Sequence, residues 1–261
     1  MSGIWNLLFV NPIFNLLILF YNFFGSNMGL AIILLSFTIK LVSFPLTHTS
    51  LKTMKKQKDL MPELDKLKKK YGHDKKKLAE MQLNLYKTAG INPASGCLTQ
   101  IFPILVIIAL FSVINHIFDP KVSSIDAINA KLYFDFLKLK ADAVINPAFL
   151  YLDLSKPDRL FILPVIAALL QFLTSKMMMP AVEKAEKLAR KTEDKKDDAM
   201  YNMQAQMLYT MPLVFLIVGL RLPSGVVLNI LITTLFSLVQ QYFVSGFGGL
   251  TPLVRKLGLK V

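Results

Sequence analysis

The chain has 261 residues, 54% of them hydrophobic and 18% charged, and its 30 Lys+Arg against 17 Asp+Glu leave a formal charge of +13. A soluble domain carries charge on about a quarter of its residues, but residues 1–39 hold none here and the charges gather in blocks between long apolar runs. That layout belongs to a polytopic membrane protein and excludes an ordinary cytosolic enzyme, a disordered chain and a disulfide-stapled secreted domain.

The start, Met1-Ser2-Gly3-Ile4-Trp5, has no basic leader and no small-residue cleavage site, so no removable segment is expected. The first apolar run, 4–24, is interrupted by Asn6, Asn11, Pro12, Asn15 and Asn22. Residues 1–25 therefore read as an amphipathic helix lying in the membrane interface rather than crossing the hydrocarbon core. A crossing helix needs about 20 apolar residues, and five runs meet that need. The expected membrane segments are 26–47, 97–115, 160–179, 207–222 and 225–245. Pro103, Pro164 and Pro212 fall inside them and are compatible with spanning, because neighbouring helices and hydroxyl side chains can satisfy the freed backbone groups. Cys97 is the single cysteine, so no internal disulfide supports the fold.

Lys and Arg collect on one side. The loops 48–96 and 176–206 and the tail 246–261 carry 22 of them, against seven in the loops 116–159 and 221–224. The excess of cations on cytoplasmic loops places 48–96, 180–206 and the C-terminal tail 246–261 in the cytoplasm, and 116–159 outside. The outer loop balances six Asp against five Lys and Arg159. It is expected to be mobile.

Within 48–96 the pattern becomes amphipathic. Leu60, Leu64, Leu67 and Tyr71 fall at i, i+4, i+7 and i+11, and Leu78, Met81 and Leu85 resume the spacing after Gly72-His73-Asp74. Two helices with facing apolar stripes and a three-residue turn form an antiparallel hairpin projecting from the membrane. Lys66, Lys68, Lys69, Lys70, Lys75, Lys76 and Lys77 crowd its tip, a density that attracts anionic lipid head groups or RNA phosphates, or serves only as a solvated face and topology signal. The second charged loop, Glu183 to Asp198, pairs Glu183 with Lys187 and Glu186 with Arg190 at i, i+4, which supports a short helix. Gly246-Phe247-Gly248-Gly249 reads as a flexible exit into the short basic tail.

The polar groups inside the spans carry the functional signal. A cation near the middle of a span costs about 2.5–3.5 kcal/mol on insertion scales. Lys40 is such a cation, and Ser36, Lys40, Ser43 and Thr47 share one helix face. None of the five spans contains an acidic residue, so the charge implies a hydrated cavity and invites an anionic visitor. Asn229, Thr233, Ser237 and Gln240 form a second stripe, Gln171, Thr174 and Ser175 a patch, and Gln206 and Thr210 sit at a cytoplasmic mouth. For each single hydroxyl, ordinary interhelical hydrogen bonding at roughly 0.6 kcal/mol is the competing reading.

Enzymatic constellations are missing. His48, His73 and His116 make no metal-ligand pattern, there is no His-Glu-x-x-His, and no phosphate-binding glycine motif appears. The chain is read as a non-enzyme with no cofactor and no metal.

Four motifs in order resemble the YidC/Oxa/Alb membrane protein insertases. They are Asn92-Pro93-Ala94-Ser95-Gly96-Cys97 leading into Pro103, Leu222-Pro223-Ser224-Gly225-Val226-Val227-Leu228 ending in Gln240-Gln241-Tyr242, Leu163-Pro164 with Lys176-Met177, and Ile39-Lys40-Leu41 before Pro45-Leu46. The likeness runs from about Asn11 to Phe243. It implies an all-α, multi-pass protein of the bacterial plasma membrane, in the compact form without a large periplasmic domain. Its architecture would be five transmembrane helices, a cytoplasmic helical hairpin and an N-terminal interfacial helix on the outer leaflet. The implied function is insertion and folding of nascent membrane proteins, alone or beside the Sec translocon, with the ribosome, the signal recognition particle pathway and anionic lipids as further partners. Family members place an arginine where this chain has Lys40, which keeps the charge and loses the planar fork. The Cys97-to-Pro103 stretch is about two residues shorter than usual, and the tail lacks the long basic extension of some members.

The residues expected to line a hydrophilic groove open to cytoplasm and lipid are Lys40, Ser36, Ser43, Gln171, Thr174, Ser175, Asn229 and Thr233. Lys40 would attract the acidic or polar tail of an incoming segment while the client's apolar helix slides along the lipid-facing side. A passive channel or small-solute transporter using the same cavity is the alternative, and a scaffold that only binds partner membrane proteins is a third.

Overall fold

The computed structural model describes residues 2–90, 95–119, 123–178 and 199–256. The Asn92-Pro93-Ala94 part of the first motif, the charged loop from Glu183 to Asp198 and the last five residues of the tail lie outside the described residues. The chain divides into two compact units, one made of Met1–Ser43, Ile101–Gln171 and Pro212–Phe236, the other of Phe44–Gln100, Phe172–Met211 and Ser237–Val261.

The described residues are mostly helical. Helix α1 spans Asn11–Phe23 and follows a π-helical turn, Asn6–Val10, with Pro12 in its first turn, where a missing N–H costs no internal bond. It ends in a tight reversal in which Gly25 and Ser26 both take positive φ, and the Ser26 N–H bonds the Tyr21 carbonyl. Asn27 then caps the next helix, its Oδ1 accepting the Leu30 N–H at 3.0 Å.

Helix α2 is Met28–Asp59, 32 residues and so about 48 Å long. The sequence reading ended this segment at Thr47, where apolarity gives way to charge. The helix continues instead, through Pro45. Its backbone bonds close within the segment whatever the side chains, and Pro45 removes only one of them. Helices α3 (Met61–Tyr71) and α4 (Lys75–Thr88) follow, separated by Gly72-His73-Asp74. Asp74 caps α4 by accepting the Lys77 N–H at 3.0 Å, and the two helices pack together. Leu64 is buried and Leu67, Tyr71, Leu78, Met81 and Leu85 are half-buried, the same positions that carry the apolar spacing.

Helix α5 is Ser95–Phe118, α6 is Ile125–Asn129, α7 is Ile162–Met178, α8 is Ala199–Gly219, α9 is Ser224–Ser245 and α10 is Thr251–Lys256. Strands β1 (Ala148–Phe149) and β2 (Leu152–Asp153) pair antiparallel in a two-residue ladder. Among the described residues four stretches are long and apolar enough to cross a membrane: Gly3–Phe23, Met28–Thr53, Ile101–Phe118 and Ser224–Ser245. Two expected spans appear as shorter apolar stretches, Ile162–Met177 and Tyr209–Gly219. The run 4–24 thus has the length and composition of a span despite its asparagines.

Those asparagines have a tertiary use within the first unit. Asn15 is buried, donates through Nδ2 to the Lys131 carbonyl at 3.1 Å and accepts the Tyr133 N–H on Oδ1 at 2.7 Å. Asn22 donates to the Leu137 carbonyl at 2.9 Å, and Asn129 closes the same stretch by exchanging both amide bonds with Leu139. Within the 116–159 segment, expected as a mobile loop, residues 123–159 therefore form a folded layer. Ile128, Leu137, Leu139, Leu152 and Leu154 are buried, all but Leu137 in one core with Phe14, Leu17, Ile18, Ile32, Leu110 and Ile114. Asp158, also buried, accepts the N–H groups of Leu160 and Leu163 and caps the start of α7.

The motif Pro223-Ser224-Gly225 gains a structural meaning here. Ser224 is fully buried and bonds the Lys156 carbonyl with both its N–H and its hydroxyl at 2.7 Å, and the Gly225 N–H bonds the Leu154 carbonyl. A Cβ on Gly225 would come within 2.8 Å of Ile114, 3.0 Å of Ile32 and 3.1 Å of the Leu154 carbonyl oxygen. In the second unit the expected flexible exit at 246–249 is instead packed. Gly249 and Leu250 are buried in a turn leading into α10, Leu250 and Val254 cluster with Met177, and Gly248, at positive φ, lies against the Met177 carbonyl.

Two outcomes test this account by thermal unfolding of the purified chain in detergent. Asn15→Ala should destabilise by about 1–3 kcal/mol, because it removes the partner of two part-buried backbone groups, the Lys131 carbonyl and the Tyr133 N–H, at once, and should expose the 125–139 segment to protease. Gly225→Ala should destabilise by about 1–3 kcal/mol through overpacking, whereas Gly3→Ala, which meets nothing within 4 Å, should leave the midpoint unchanged.

Candidate functional site

The interior face of α2 changes character along its length. Met28, Ala31, Ile32 and Leu35 are fully buried apolar residues, and the stripe then becomes Ser36, Lys40 and Ser43, all buried. Helix α9 repeats the change. Val226, Val227 and Leu228 are buried at its start, followed by Asn229, Ile230 and Thr234. The two transitions meet. The Asn229 Nδ2–H donates to Ser36 Oγ at 2.7 Å, and the Ser36 hydroxyl donates to its own Ile32 carbonyl at 2.6 Å. Asn229 is 1% exposed and Ser36 0%, so the pair lies in a dry environment, where an unmet amide or hydroxyl is costly.

The second unit contains a polar pair of its own. Gln240 Nε2–H donates to Thr47 Oγ1 at 3.0 Å, again across 193 residues. The spacing from 36 to 47 and from 229 to 240 is 11 residues, three helical turns, so both side chains return to the facing surface. Phe37 and Phe236 stack edge to face at 5.4 Å in the first unit.

Lys40 is 9% exposed, one turn beyond Ser36 on the same face. Ser43 turns its hydroxyl back to the Ile39 carbonyl at 2.8 Å, and Thr233 to the Asn229 carbonyl at 2.8 Å. Both hydroxyls donate to carbonyls of their own helices, the local back-bonding usual for serine and threonine within a helix. Gln171, half-buried, belongs to the first unit with Lys40, Ser36, Ser43, Asn229 and Thr233. Thr174, buried, and Ser175, half-buried, belong to the second. Of the expected groove residues, the structure joins Ser36 to Asn229 directly and places Lys40 and Ser43 on the same buried face.

Buried Thr234 and Ser50 were missed by the sequence reading, and buried Gln241 enters it only within the Gln240-Gln241-Tyr242 motif. Their signal was available: Ile230, Thr234 and Gln241 fall at i, i+4 and i+11, and Ser50 follows Ser43 at i+7. In the second unit Gln241 Oε1 and His48 Nδ1 are buried and accept no hydrogen bond among the described residues.

A sequence model of the family described as 60Kd inner membrane protein matches residues 19–248. Curated relatives include "Membrane protein insertase YidC 2" of Bacillus anthracis, 29% identical over 94% of this chain and 82% of its own length. Another is "Membrane protein insertase YidC" of Fusobacterium nucleatum, 30% identical over 84% of this chain and 86% of its own length. The protein of the same name from Nitratidesulfovibrio vulgaris is 31% identical over 92% of this chain, which spans 39% of it. Among solved structures, "Active YidC insertase crystal structure with the first transmembrane domain resolved" superposes with a TM-score of 0.57 at 25% identity, covering 89% of this chain and 46% of that one. With the family match running through both units and through Lys40, Ser36 and Asn229, this chain belongs to the 60Kd inner membrane protein family, the YidC/Oxa/Alb family of membrane proteins.

Proposed function

We propose that the chain inserts newly synthesised membrane proteins into the bacterial membrane and assists their folding, using the polar interior face around Lys40. The observation that carries this reading is the change of the buried stripe from apolar to polar at Ser36 and Asn229, with a cation one turn further on. The apolar end keeps water and ions out. The polar end lowers the cost of carrying a hydrophilic segment partway across, because Lys40, Ser43, Thr233 and Gln171 can replace some of its hydration. An acidic tail is favoured by the charge on Lys40. The client's apolar helix meanwhile meets the lipid-facing residues of the same helices, and each CH₂ it transfers into lipid contributes about 0.8 kcal/mol toward release.

In this reading Thr174 and Ser175 extend the polar lining. The five segments 26–47, 97–115, 160–179, 207–222 and 225–245 cross the bilayer, residues 1–25 lie along the outer leaflet, and the C-terminus is cytoplasmic, as the distribution of Lys and Arg favours. Helices α3 and α4 form a cytoplasmic hairpin whose lysine-rich tip meets anionic lipid, the ribosome or the client first. Delivery by the signal recognition particle pathway and cooperation with the Sec translocon belong to the same proposal. The insertase works as a non-enzyme, drawing on the client's own transfer free energy.

Reconstituted proteoliposomes test the role of Lys40. Protease-protected insertion of a short single-span client with an acidic tail should fall about tenfold with Lys40→Ala, equivalent to about 1.4 kcal/mol, and stay near the starting value with Lys40→Arg. Neutralising the client's tail should shrink the difference between the two variants. Unchanged insertion with Lys40→Ala would point to a scaffold, and solute or ion flux through the same vesicles would point to a channel.

A further inference from the structure

Helix α7 presents one apolar face outward within the first unit. Ile162, Val165, Ile166 and Leu169 are exposed at i, i+3, i+4 and i+7, whereas Leu163 and Ala167, turned away from them, are buried. An exposed aliphatic stripe on an apolar helix of a membrane protein is a lipid-facing surface. Yet α7 has 17 residues and rises about 26 Å, short of a hydrocarbon core of about 30 Å. The exposed apolar surface does not stop where the helix starts. It continues onto Leu160 and Phe161, 61% and 52% exposed, and onto Leu150, 86% exposed in the two-residue turn between β1 and β2.

One side chain ties that turn to the start of α7. Tyr151 donates its hydroxyl to Asp158 Oδ2 at 3.2 Å, and buried Asp158 accepts the Leu160 N–H at 2.9 Å and the Leu163 N–H at 2.8 Å. Leu150 and Phe161 both hold positive φ, 55° and 57°, a left-handed conformation that glycine and asparagine adopt far more readily. Two bulky apolar residues so placed are unfavourable in water on two counts, backbone strain and exposed apolar surface. A surrounding membrane removes the second.

The backbone of this non-helical stretch suits a lipid environment, where irregular chain has to be satisfied from within. The Phe161 N–H bonds the Asp158 carbonyl at 3.3 Å, and the Phe161 carbonyl accepts the Val165 N–H at 3.2 Å. With the two N–H groups held by the Asp158 carboxylate, the entry to α7 is closed by its own groups. Lys156 and Arg159, both exposed, flank the apolar residues, as cations do at the level of lipid phosphates. We propose that Leu150, Leu160 and Phe161 form an apolar apex inserted at the boundary of head groups and acyl chains, where it continues the lipid-facing stripe of α7 beyond the helix end. Its occupant is bilayer lipid, because the apex is continuous with that stripe. The apex fixes the depth of the N-terminal end of α7. This rests on α7 crossing the bilayer, as in the function proposed above.

Tryptophan quenching in proteoliposomes of the full chain, prepared with brominated phosphatidylcholine, tests the assignment. Trp5 is the single tryptophan, so in a Trp5→Phe background Leu150→Trp, Leu160→Trp and Phe161→Trp report on the apex and Ile166→Trp reports on α7. All four should be quenched and shifted to the blue. Bromines near the head group should act most on the three apex variants, and bromines near the chain ends most on Ile166→Trp. Quenching of Ile166→Trp with none at the apex variants overturns the proposal and assigns the apex to water or a protein partner. No quenching of Ile166→Trp overturns the crossing of α7, and the apex with it. If Leu150→Trp or Phe161→Trp fails to fold, Leu160→Trp, outside the left-handed positions, decides the outcome alone.

Discussion

The hydrogen bond from Asn229 to Ser36 fixes the relation of the two helices on which the polar interior is built. In an apolar medium a buried amide and hydroxyl have no water to fall back on, so their pairing selects one register of α2 against α9. Shifting that register by a single residue would turn Asn229 away from Ser36 and break the match between the two polar stripes. The bond also sits at the boundary between chemistries, with buried Leu35 and Leu228 beside it and Lys40 one turn beyond. It both closes the apolar end and sets where the polar end begins.

That register is supported from the side by the 125–161 segment. Ser224 and Gly225 hang the start of α9 on the carbonyls of Lys156 and Leu154, and the absence of a Cβ on Gly225 lets Ile32, Ile114 and that backbone approach together. Asp158 caps α7 from the same stretch, and Asn15 and Asn22 bind its other half to α1. One folded layer therefore anchors α1, α7 and α9 by hydrogen bonds from side chains and backbone rather than by apolar packing alone. In lipid, where apolar burial between helices gives little net drive, such polar anchors are effective determinants of geometry. The price is a set of asparagines and serines within apolar runs, each affordable only because its partner is in place.

Much of the fold and of the site can be read from the amino-acid order. Apolar runs locate α2, α5 and α9 because a helix in lipid must be apolar over about 20 residues whatever its neighbours do. The heptad-like spacing of Leu64, Leu67, Tyr71, Leu78, Met81 and Leu85 locates α3, α4 and their turn. The 36/40/43/47 and 229/233/240 stripes are visible as faces, since 3.6-residue periodicity is a property of the sequence alone. Three features are not legible in this way: the extension of α2 to Asp59, the packing of residues 246–250, and the folding of 116–159. In each, composition indicates solvent or mobility, while the backbone finds partners that composition does not name.

The sequence by itself determined that this chain lives in a membrane, where its apolar helices lie, and that Lys40 shares a helix face with Ser36 and Ser43, because hydropathy and helical phase are local quantities. Tertiary structure alone decided that Asn229 meets Ser36, that Asn15 and Asn22 grip a folded layer, and that Gly225 lets three elements converge. Those pairings join residues more than 100 positions apart, and a polar side chain within an apolar run looks the same whether it faces lipid, water or a partner until the partner is brought to it.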